Sequence, residues 1–166
     1  MFQTMKGKNQ IQLSPQQYIR TKARSLPIDA CYINENWKEM GMTEIIVSRK
    51  HTNGHFTFGV YLVDIFALGT KDTFYNFNVP ESEMQGLIDK MDDKLGLIKV
   101  EYPLVHNIIY GGNAYAEENG FKIHKDFKLT QFILEEDTED IELIDIEFGK
   151  DGKPLVIIGS PDDCDF

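Results

Sequence analysis

Two β-rich runs joined by Asn53-Gly54 constrain this chain more than any other feature. Thr43 to His51 and His55 to Phe66 flank Thr52-Asn53-Gly54. A tight hairpin turn needs positive φ angles at its centre, and Asn-Gly adopts them with little strain. An antiparallel hairpin over 43–66 is therefore expected. Its second strand reads Phe56, Phe58, Val60, Leu62, Asp64, Phe66 on one face and Thr57, Gly59, Tyr61, Val63, Ile65 on the other. Both faces are largely apolar, which predicts a central strand covered on both sides.

Around this hairpin the local signals are mixed. Ser14-Pro15-Gln16-Gln17 predicts a helix over 15–24, with the serine as cap, proline in the first turn and Gln17 reaching back. Thr73 to Val79 predicts a further strand, and Cys31 reads as a buried strand residue. Helices are expected from Pro80 to about Asp92, from Leu104 to Asn119 with Gly120 as the cap, and from Asp126 to Glu135. Gly111-Gly112 inside the second of these costs about 2 kcal/mol of helix propensity. Such a pair implies either close packing against a neighbour or a kink. Ile144–Phe148 and Leu155–Ile158 around Asp151-Gly152 predict a second hairpin. Alternating βαβ units are missing. The expected fold is α+β: an antiparallel sheet with hairpins at both ends and three to four helices packed on it. A flexible basic arm over 1–13 should precede a single domain over 14–166.

With 166 residues, 42% of them hydrophobic, the chain can bury a core without staples. Cys31 and Cys164 lie far apart, which favours a reducing compartment. No apolar run approaches the ~18 residues of a membrane span. Residues 1–6 lack an apolar signal core. A cytoplasmic location without membrane contact is the expectation. The formal charge is −10, yet residues 1–26 hold Lys6, Lys8, Arg20, Lys22 and Arg24 and no acid. An acidic body repels nucleic acid over most of its surface, so only the basic stretch 1–26 offers phosphate a partner.

Asp64 heads the candidates for chemistry, because a carboxylate sharing a face with Val60 and Leu62 is expected to be buried and to need a partner. Lys71, Arg49, a histidine or a bound cation would serve, or the carboxylate would cap the end of its strand. Lys71 and Asp72 follow as a possible catalytic group with it. His106, His124 and Asp126 join Asp64 as the candidate metal ligands, although no histidine has the spacing of a known zinc motif. Asp145, Glu147 and Lys150 form a looser acid–acid–lysine group, one residue longer than the usual nuclease pattern. No nucleophile elbow or phosphate-binding loop is present in the sequence.

Gly59-Val60-Tyr61-Leu62-Val63-Asp64-Ile65-Phe66-Ala67-Leu68-Gly69-Thr70-Lys71-Asp72 and Glu147-Phe148-Gly149-Lys150-Asp151-Gly152-Lys153-Pro154 together resemble a family of uncharacterised prokaryotic proteins. The resemblance runs over roughly residues 18–160. Members often carry cysteine where Ala67 stands, so it transfers no thiol role, and some relatives are fused to a short zinc-binding module. It implies a shared fold and no reaction. Two functions follow as expectations. One is a non-catalytic domain that binds another protein, as an accessory part of a larger prokaryotic assembly. The alternative is a divalent-metal-dependent hydrolase or nuclease using Asp64 and Asp72, helped by Lys71 and a histidine.

Overall fold

The computed structural model describes residues 12–156. The expected basic arm lies outside the described residues except for Gln12 and Leu13. The Ser14 hydroxyl accepts the Gln17 N–H at 3.1 Å and the Gln17 side chain accepts the Ser14 N–H at 3.0 Å. This capping box starts α1, Pro15–Lys22, which tightens into a 3₁₀ turn over Ala23–Ser25. The strands are β1 (Ile28–Asn34), β2 (Met42–Lys50), β3 (Phe56–Asp64), β4 (Gly69–Val79) and β5 (Leu97–Val100). They form one antiparallel sheet in the order β4-β3-β2-β1-β5. One helical turn, α2 (Trp37–Met40), links β1 to β2. The predicted hairpin is β2–β3, and β3 is buried along its whole length.

The connections explain the layering. From edge strand β4, helix α3 (Glu81–Leu95) crosses one face and delivers the chain to β5 at the opposite edge. Met84, Ile88 and Met91 of α3 pack on Ile46, Phe58 and Val60. Helix α4 (Tyr102–Glu118) then covers the other face, setting Val105, Ile108 and Ile109 against Ile45, Val47, Tyr61 and Val63. The Gly111-Gly112 pair reflects close packing: a Cβ on Gly111 would stand 2.6 Å from the Phe148 ring, and one on Gly112 would stand 3.1 Å from Val63 Cγ1.

Three expectations need correction. β1 and β5 complete the sheet, although the sequence marked the first only through Cys31 and the second not at all. The helix expected over 126–135 shrinks to α5 (Phe127–Thr130) and a 3₁₀ turn over Gln131–Ile133. Its later carbonyls are diverted to guanidinium donors: Arg24 donates to Leu134 O and Gln131 O, and Arg49 to Ile133 O. Residues 144–148 stay outside the sheet, and the described residues of the second hairpin hold a turn at Asp151-Gly152 closed by one antiparallel bridge, Lys150 with Lys153, while residues 157–158 of its expected second strand lie outside the described residues. Gly149 N–H and Leu155 N–H donate to Ile65 O and Phe66 O, so this end docks over the β3–β4 turn.

Candidate functional site

The polar groups of interest gather where α4 meets the chain after it. The buried residues of α4 are Val105, His106, Ile108, Ile109, Gly112, Asn113 and Ala116. Two of them are polar, His106 in the first half of the helix and Asn113 in the second. Its Oδ1 accepts both the backbone N–H and the hydroxyl of Thr70 at 2.8 Å. A backbone N–H must face an acceptor, so the amide orientation is fixed. That leaves Nδ2 on the other side, buried and without a hydrogen-bond partner, on a residue that is 5% exposed. Among the described residues it is the one buried side-chain polar atom so placed.

Asn113 lines a groove of about 450 Å³. One wall is α4, contributing Tyr110, Asn113 and Glu117, and the facing wall is His124, Lys125 and Lys128. Tyr110 and Phe127 meet edge to face across it, with ring centroids 5.8 Å apart. Asp137 closes one end. Lys125 and Lys128 are exposed, as are Glu117 and Asp137, so the rim carries both signs of charge.

A tied network lies beneath this end. The Tyr102 hydroxyl accepts the Glu135 N–H at 2.8 Å and sits 2.6 Å from His106 Nδ1. His106 Nε2 is 3.0 Å from Asp137 Oδ1. The tyrosine proton therefore points at Nδ1, and the imidazole donates from Nε2. Buried Arg49 donates to Leu26 O and Ile133 O at 2.6 Å and to Glu135 Oε2 at 2.7 Å. Burial pushes the Tyr102 phenol well above its usual range and the Cys31 thiol up to about 12, which leaves it a poor nucleophile.

Asp64 is buried as expected, but its partners are its own turn. Oδ1 accepts the Phe66 N–H at 2.9 Å and Oδ2 the Leu68 N–H at 3.2 Å. Burial raises its pKa, opposed by those N–H groups and by the charge of Lys71. Lys71 occupies the extra position of a β-bulge between the Val63–Thr70 and Leu62–Asp72 pairs. Asp72, 46% exposed in its side chain, places Oδ1 at 3.8 Å from His124 Nε2. Asp126 Oδ2 lies 3.9 Å from His124 Nδ1, which already accepts the Asp126 N–H. Asp72, His124 and Asp126 are thus neighbours, but the carboxylates approach opposite nitrogens of one ring. His106 sits on α4, away from the turn that holds Asp64. Among the described residues no three His, Cys, Asp or Glu side chains are grouped to hold a metal ion. Asp145, Glu147 and Lys150 do line one cavity of about 350 Å³, beside Phe66 and Lys38.

No family model matches the chain, and neither a curated protein nor a solved structure matches it. Sequence reasoning missed Asn113, Tyr110, Lys125, Lys128 and the Tyr102–His106–Asp137 chain. An asparagine on the apolar stripe of α4 was the available signal. The others acquire meaning only when residues 123–137 fold back onto that helix.

Proposed function

We propose that this chain is a binding domain that docks another protein and performs no chemistry of its own, as an accessory part of a larger assembly. The observation that carries the proposal is the strap from Glu135 to Glu147. It holds eight acids and no lysine or arginine, and Leu143 in its middle is 88% exposed. From Glu142 to Phe148 it runs without helix or strand. An apolar side chain presented among like charges fits a partner with a basic rim around an apolar notch. The groups that sequence offers for acid–base work support the same conclusion, since Asp64 and His106 are engaged in holding a turn and the strap.

The test has two arms. Partners captured on the immobilised chain are identified, purified and rebound to the parent and to Leu143→Asp. Binding weakened tenfold or more, and weakened further by salt, is the expected result. Turnover of DNA or RNA that requires Mg²⁺ or Mn²⁺ and disappears in Asp64→Asn or Glu147→Gln would replace the proposal with the hydrolase alternative.

A further inference from the structure

The groove beside α4 is a second site, and it fits something smaller than a protein. A buried amide N–H without a partner is costly, so a native fold that keeps one has a use for it or fills it with solvent. Here the orphan is Asn113 Nδ2, its orientation locked by Thr70, on a residue that lines the groove. Being a pure donor, Nδ2 selects an acceptor oxygen. Lys125 and Lys128 on the facing wall add positive charge, which favours a carboxylate over a neutral carbonyl. Glu117, one turn along α4 from Asn113, adds negative charge, which favours a cationic group on the same molecule, while Asp137 lies in the other direction against His106. Tyr110, Phe127 and Ile123 supply apolar surface between the two.

We infer that this groove binds a free amino acid or a close zwitterionic relative. One carboxylate oxygen accepts from Asn113 Nδ2, the lysines balance the carboxylate, and Glu117 faces the ammonium group. About 450 Å³ accommodates such a molecule with its side chain. The inference goes beyond the protein-docking proposal, which rests on the exposed Leu143 strap.

The Asn113 side-chain NH₂ pair gives a direct readout by ¹⁵N-correlated NMR of the whole chain. Glycine, L-alanine, L-leucine and L-glutamate are titrated into the millimolar range, each beside its N-acetyl derivative and acetate. At least one free amino acid should move the Asn113 NH₂ signals saturably. Its N-acetyl form should bind at least tenfold more weakly, because the cationic end is gone. Asn113→Asp keeps an acceptor for Thr70 and removes the donor, so it should abolish the response. Should that variant misfold, the exposed pair Lys125→Gln with Lys128→Gln should weaken binding about tenfold while the rest of the spectrum stays native. Four results each overturn the inference: no saturable shift, a shift confined to other regions, an N-acetyl form that binds as tightly as its parent, or lysine variants that bind like the parent chain. An ordered water alone on Nδ2, with no response to any probe, is the first of these.

Discussion

The two faces of the sheet are stabilised by different means. The face under α3 is mainly an apolar interlock of Ile46, Phe56, Phe58, Val60 and three residues of the helix, with buried Ser48 tied to the Ala30 backbone. The face under α4 has an apolar centre too, but it is threaded with buried polar contacts. Tyr61 donates to Thr130 O at 2.7 Å, Thr43 to Val63 O at 3.0 Å, and Thr73 to Val60 O at 2.8 Å, while Arg49 holds three segments at once. Dispersion and burial tolerate small displacements, whereas a buried hydrogen bond fails when its partner moves. The α3 face should therefore respond to lost volume and the α4 face to lost geometry. The candidate sites lie on the second kind of surface.

The largest effect should come from Arg49→Met. It leaves the Leu26 and Ile133 carbonyls and the Glu135 carboxylate without their donor, and stability should fall by about 3–5 kcal/mol in urea melts. A loss below 1 kcal/mol would show that the strap holds by packing and erase the contrast between faces. Asp64→Asn comes next. Its amide can accept only one of the two N–H groups of the β3–β4 turn, for a loss of about 1–3 kcal/mol by the same measurement.

Gly111→Ala pits helix propensity, a gain of up to about 1 kcal/mol, against a methyl driven into the Phe148 ring, a cost of about 1–3 kcal/mol. A net loss of about 1 kcal/mol is expected, with faster amide exchange around Phe148. On the opposite face Ile88→Val should cost about 1 kcal/mol and leave amide exchange in the strap untouched.

The smallest effect is on pH dependence. Burial raises the pKa of Asp64 and of Glu44, so the fold keeps protons that the unfolded chain releases. Their contribution to stability is complete below the ordinary carboxylate range and is lost as pH rises through the raised values. Melts across the acidic range should show a shallower decline for Asp64→Asn than for the parent.

These contrasts also show what was legible beforehand. The β2–β3 hairpin, the capping box at Ser14 and the burial of Asp64 followed from turn chemistry and alternation, which act over a few residues. β5 was hidden because its four residues are half exposed and follow directly on α3. The helix over 126–135 was overestimated because Arg24 and Arg49, far away in sequence, remove its carbonyls. Of the partners expected for Asp64, the cap of a strand end is the one its carboxylate makes, to its own turn. Asn113 was visible as a polar residue in an apolar stripe, but Thr70, the residue that orients it, lies 43 positions earlier.

The placement of Arg49 has a consequence for synthesis. Its acceptors Ile133 O and Glu135 Oε2 lie 84 and 86 residues downstream. While the chain is still emerging from a ribosome, the β2–β3 hairpin is complete but its guanidinium has Leu26 O and lacks its two downstream acceptors. Closing α4 over that face early would leave the cation short of two of its acceptors, so this side of the sheet is completed only when Ile133 and Glu135 arrive. Completion of that face thereby follows the synthesis of residues 133–135, at a loop-closure entropy that rises only slowly with the number of residues spanned.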